Sequence, residues 1–153
     1  MRALAPDSLR GLALALALSV PASAQQPPGV VGDWLTQGRE GVIRIAPCNG
    51  NLCGTLVGLR FGSNGDAPRD WQGRSQCGLT IMTGMAQVQP GLWRGHIVNP
   101  QDGKRYGVDI SLESRNRLRL RGFLDMPVLS AIKQSQIWTR FLGRLTPDCH
   151  MLS

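Results

Sequence analysis

The sequence predicts an all-β chain, a single antiparallel up-and-down barrel of about eight strands. Three observations carry this. Residues 105–112 and 117–124 alternate apolar and other side chains at period two, as half-buried strands do. Turn signals such as Asn49-Gly50, Pro90-Gly91 and Asp102-Gly103 recur between short apolar runs. No stretch carries a convincing helical period, and no segment repeats. Short turns between consecutive strands favour a barrel over a sandwich.

In chain order, a leader at 25–29 precedes a first strand at 33–36, and 38–41 turns. Residues 42–47 alternate, with Ile43 and Ile45 on one face and Val42 and Arg44 on the other. Asn49-Gly50 is a hairpin signal. If Cys48 pairs with Cys53, Ile45 faces Leu56 inside and Arg44 faces Val57 outside. Gly54 and Gly58 then join Leu56 on the inner face, where missing side chains permit curvature or leave room. Residues 60–76 form a long Gly-, Asn-, Asp- and Pro-containing segment around Trp71, and loops of this length are functional or disordered. Residues 79–88 read as a strand broken by Gly84, 92–98 as the next, and 99–105 as a turn. Tyr106, Val108, Ile110 and Leu112 share one face of 105–112. In 117–124, Leu118, Leu120, Gly122 and Leu124 share one face, while Arg117, Arg119 and Arg121 take the other. A connection at 125–133 holding Val128 and Ile132 leads to a closing strand at 134–142 and a tail at 143–153.

The first 24 residues read as a cleavable secretory signal. Arg2 and Arg10 precede or flank an apolar Leu/Ala run, and Ala22-Ser23-Ala24 is an A-x-A site. The run is too short to span a bilayer, which takes about 20 apolar residues. No lipid-anchor cysteine follows it, so residues 25–153 are expected as one periplasmic or secreted domain. Export makes the four cysteines disulfide partners. Cys48 and Cys53 flank a turn that sets them opposite each other, leaving Cys77 and Cys149 as the natural second pair. No C-x-x-C occurs, which disfavours thiol exchange and zinc ribbons. The net charge of +7 suits anionic partners such as an envelope surface, while nucleic acid is not an expected partner of an exported protein.

Nothing in the chain asks for an enzyme, a metal or another cofactor. The two histidines, His96 and His150, fit no recognised zinc spacing, and Gly62-Ser63-Asn64-Gly65 is not a nucleophile elbow. Asp66 and Asp70 read as turn-makers, with a carboxylate pair as the rival. The Arg117, Arg119, Arg121 stripe reads as a solvated outer face or as a docking stripe for an anionic surface. For a small apolar or amphipathic ligand, the expected contacts are Trp93, Tyr106, Ile110 and Leu120 inside, with Trp71 and 128–132 at the rim. An eight-stranded interior is either filled by side chains or holds one small ligand, and both stay open.

Gly32-Asp33-Trp34 near the start and Trp138-Thr139-Arg140 near the end resemble the closing signature of lipocalin-like barrels. The resemblance implies that Trp34 plugs one end with Arg140 across its face, a cation–π contact of about 1 kcal/mol; the rival is two unrelated core tryptophans. Val42-Ile43-Arg44-Ile45, Leu52-Cys53-Gly54, Trp93-Arg94-Gly95-His96-Ile97, Asn99 to Tyr106, Leu118 to Leu124 and Ser135 to Arg140 extend the likeness. In that order they resemble an exported bacterial family, domain of unknown function 2147, which implies a lipocalin-type barrel and carries no activity. The long loop departs from the family pattern, with Asp66-Ala67-Pro68 where an Asp-x-x-Asn-Pro-like segment is expected.

Overall fold

The computed structural model describes residues 29–123 and 134–152. The signal at 1–24, Leu124 and the 128–132 rim lie outside the described residues. Eight antiparallel strands close a barrel in simple sequential order. They are β1 (Gly32–Leu35), β2 (Gly41–Cys48), β3 (Asn51–Leu59), β4 (Thr80–Gln89), β5 (Leu92–Val98), β6 (Arg105–Ser114), β7 (Arg117–Phe123) and β8 (Gln134–Arg140). The seam pairs β1 with β8, Trp34 standing beside Arg140 and Leu35 beside Thr139. Closure leaves no unpaired sheet edge in the barrel. The tail at 143–153 contains two more strands, β9 (Arg144–Leu145) and β10 (Met151–Leu152), paired with each other.

Burial follows the alternation. On β6 and β7, Val108, Ile110, Leu118 and Leu120 are buried while Arg117, Arg119 and Arg121 are exposed. Asn49 and Gly50 both have positive φ, so the hairpin has a two-residue turn and Cys48 pairs with Asn51. Ile45 therefore faces Gly54, and Arg44 faces Thr55, two residues from the register expected. The Cys48–Cys53 disulfide runs diagonally across the hairpin, with a Cα separation of 5.7 Å. Gly84 (φ +62°) does not end β4; it sits in an irregularity between Thr83 and Ala86 and the strand continues.

A bulge between Val42 and Ile43 corrects a second expectation. It turns Gly58 to the face of Val42, opposite to that of Ile43. A Cβ at Gly58 would meet Leu145, Val42 and Met151, so this glycine lets the β9–β10 hairpin lie flat on the outer wall. Leu35 and Val42, neighbours on that wall, are buried in consequence. Nor do the inner glycines leave room. A Cβ at Gly54 would lie 2.8 Å from the Met82 sulfur, and one at Gly95 would lie 2.5 Å from the Met85 sulfur. The two thioethers fill the spaces the glycines open.

The long loop is ordered by Asp70, whose side chain is fully enclosed. The carboxylate accepts from the backbone N–H of Gln72 and Arg74 and from Arg74 Nε, at 2.8–2.9 Å. Burial pushes its pKa up, but the hydrogen bonds from Arg74 and Gln72 outweigh this and hold the carboxyl below its usual range. A carboxyl depressed in the folded state contributes stability above its unfolded pKa and loses it as the pH falls. In thermal unfolding between pH 7 and pH 3, Asp70→Asn should melt several degrees below the parent at pH 7. The gap should shrink as acid protonates the parent's Asp70. A gap independent of pH would show that the charge contributes nothing.

Candidate functional site

The two ends of the barrel differ. At one, the N-terminal segment crosses the opening and Trp34 lies beneath it with no exposed surface. The indole Nε1 donates to the Val30 carbonyl at 2.8 Å. The Arg140 guanidinium lies 4.2 Å from the Trp34 ring centroid. Its Nη2 donates to Gly29 O at 2.9 Å, Nη1 to Val31 O at 3.3 Å, and Nε to Arg115 O at 3.1 Å. Gly32 has φ +137°, and a Cβ there would lie 2.5 Å from Arg140 Nη1. This explains the glycine of the G-x-W signature in physical terms: the backbone is strained for other residues, and the guanidinium occupies the side-chain position.

Trp93 lies near this sealed end, one residue into β5 after the Pro90-Gly91 turn, opposite Ile110 and half-buried. Ile110 has no exposed surface and Leu120 only 4%. With Met82 and Met85 also at 0%, these positions form packed core. A ligand would reach Ile110 or Leu120 only if that packing opened.

Tyr106 belongs to the opposite end, where the 60–79 and 99–104 loops emerge. It is half-buried on the inner face opposite Ile97, itself half-buried. Trp71, 45% exposed, reaches the same end. Its backbone N–H donates to Pro100 O at 3.0 Å, its ring covers Gly103, and the Arg74 guanidinium is 5.5 Å from the ring centroid. Thus Tyr106 and Trp71 share the loop-bearing end, while Trp93 does not. Sequence reasoning placed Trp93 and Tyr106 on the inner face and Trp71 at the rim, but did not assign Trp93 and Tyr106 their height along the axis.

Arg117, Arg119 and Arg121 stand on the outer wall, where Glu113 binds the first two. Those contacts hold the Glu113 carboxyl below its usual pKa. Arg121 lies across from Asp109, which makes a two-point pair with Arg94 at 2.7 and 2.8 Å. Carboxylates are thus interleaved with the arginines. Cys77 and Cys149 form the second disulfide, with Cα atoms 5.7 Å apart, tying the long loop to the tail. Sequence reasoning missed the surroundings of that bond. The His150 ring packs tilted against Phe61 with centroids 3.9 Å apart, its Nδ1 is 2.9 Å from Asp148 Oδ2, and Leu59 N–H donates to Cys149 O at 2.7 Å. Among the described residues no three His, Cys, Asp or Glu side chains are arranged to hold a metal ion.

The family model described as "Uncharacterized protein conserved in bacteria (DUF2147)" matches residues 32–140. The chain belongs to the DUF2147 family. The match begins at Gly32 and ends at Arg140, the residues that meet at the barrel seam, so the DUF2147 unit coincides with the closed barrel. Among solved structures, the chain is similar to protein HP1028 of Helicobacter pylori, described as belonging to the lipocalin family. The two are 18% identical, the likeness covers 73% of this chain and 82% of that one, and the TM-score is 0.61. At that identity the likeness is one of fold. No curated protein is significantly similar to the chain.

Proposed function

We propose that this DUF2147 member is an exported carrier that holds a small apolar or amphipathic molecule at the loop-bearing end of its barrel. The asymmetry of the barrel carries the reading. One end is stoppered by Trp34, Arg140 and the N-terminal segment. The other leaves inner-face Ile97 and Tyr106 half-buried beneath loops that include an exposed tryptophan. Aromatic side chains with a polar tip suit a ligand that is apolar in body and polar at one point. Two disulfides suit an oxidising compartment. A docking role for the arginine stripe is the weaker reading, because Glu113 engages both Arg117 and Arg119 and offsets one of their charges.

Native mass spectrometry of protein purified from the periplasm should show a discrete adduct below about 1 kDa. Tyr106→Ala together with Trp71→Ala should remove the adduct while leaving the melting curve within a few degrees of the parent. Bare polypeptide alone, from parent protein handled without detergent, would count against the carrier reading.

A further inference from the structure

A second site lies outside the barrel. The β9–β10 hairpin rests on the outer wall of β1–β3, and beside it is a half-open groove of about 220 Å³. Leu35, Leu59, Phe61, Phe141 and Met151 give it an apolar lining, and Arg39, Arg60 and His150 reach it as well. Among the described residues Arg39 and Arg60 form no ion pair, unlike Arg44, Arg74, Arg94, Arg117 and Arg119, so both guanidiniums keep their charge uncompensated beside the apolar lining. Arg69, Arg105, Arg115, Arg121, Arg140 and Arg144 are likewise not ion-paired among the described residues but do not line the groove. Leu152, also in the lining, is 43% exposed, and Leu142, next to Phe141, is 84% exposed, so apolar surface continues past the groove.

From this combination we propose that the groove binds a small amphiphile with a short alkyl body and one anionic head, of the medium-chain carboxylate class. The alkyl part lies on Phe61, Leu59 and Met151, and the head meets Arg39 and Arg60. The size agrees: the groove is smaller than the roughly 300–1,000 Å³ pockets that enclose drug-sized ligands. The guanidiniums supply charge-assisted hydrogen bonds to a carboxylate. Because both are solvent-exposed, their contribution weakens with salt. The site depends on the tail. The Cys77–Cys149 bond and the Leu59–Cys149 hydrogen bond hold His150 and Met151 against the wall. The proposal is independent of the carrier reading, since Ile97, Tyr106 and Trp71 do not line the groove.

Octanoate is the probe, titrated into ¹⁵N-labelled full-length mature protein, with 1-octanol (tail without charge) and acetate (charge without tail) in parallel. Octanoate should shift the amides of Leu59, Phe61 and Met151, leaving those of Ile97 and Tyr106 in place. It should bind at least tenfold more tightly than either control. Arg39→Gln with Arg60→Gln should weaken octanoate about tenfold or more without weakening octanol, and both exposed positions tolerate the change structurally. Equal binding of octanol and octanoate would overturn the proposal. So would shifts confined to the barrel mouth, or an Arg double variant with unchanged affinity.

Discussion

Trp34→Ala should lower the unfolding free energy by about 3–5 kcal/mol, the usual cost of emptying a buried aromatic site. Trp34 is fully enclosed among the core residues of a closed barrel, whose paired strands can collapse into the void only partly. The loss has three parts. The aromatic volume disappears, Arg140 loses the ring beneath its guanidinium, and the Val30 carbonyl loses its indole donor. Trp34→Phe separates them, restoring most of the volume while leaving Val30 unpaired, at a cost of about 1–3 kcal/mol. A double-mutant cycle with Arg140→Ala should give a coupling near 1 kcal/mol. Urea unfolding monitored by far-UV circular dichroism measures all of these. A loss below about 1 kcal/mol for Trp34→Ala would remove the stopper from the account of the fold, since domain stabilities are only about 5–15 kcal/mol in total.

The second large effect belongs to the Cys77–Cys149 bond. It links positions 72 residues apart, whereas Cys48 and Cys53 are five apart. Chain-entropy arguments assign about 4 kcal/mol to the first closure and about 2 kcal/mol to the second. Cys77→Ser with Cys149→Ser should therefore lower Tm by about 10–20 °C, and Cys48→Ser with Cys53→Ser by roughly half as much. The long bond should also be felt locally. Without it, the Leu59 and His150 amides should exchange with solvent much faster, while those of β6 and β7 keep their protection. If the two double variants melt together, the tail is held by its packing on Val42 and Gly58 rather than by the disulfide.

Most of the barrel was legible because period-two burial survives errors in pairing. The expected register of β2 on β3 was displaced by two residues, yet Ile43, Ile45, Gly54 and Leu56 still point inward, since a shift of two preserves the face. The displacement came from treating Cys48 and Cys53 as direct partners. Asn49-Gly50, with both residues at positive φ, dictates the tighter turn. Gly58 was misread because a bulge reverses the faces beyond it, and no residue pattern announced the bulge at Val42. Filling of the interior was illegible for another reason. Met82 and Met85 lie in a strand whose bulges hide its alternation, so their thioethers could not be matched to Gly54 and Gly95 across the sheet. The outer groove was hidden entirely, as its lining is drawn from β1, β3 and a tail with no strand-like period.

The seam also dictates when this protein can fold. Arg140 binds the Gly29 carbonyl across 111 residues of sequence, and β1 has only β2 and β8 as neighbours. A chain still emerging from a ribosome or a translocon therefore lacks the last stave, and its first stave keeps one ladder of N–H and C=O groups open. Pairings of such long sequence separation form slowly, and unsatisfied ladders on incomplete sheets are sticky. Closure of the barrel therefore waits for residue 140, and until it arrives the early hairpins carry an open ladder along β1.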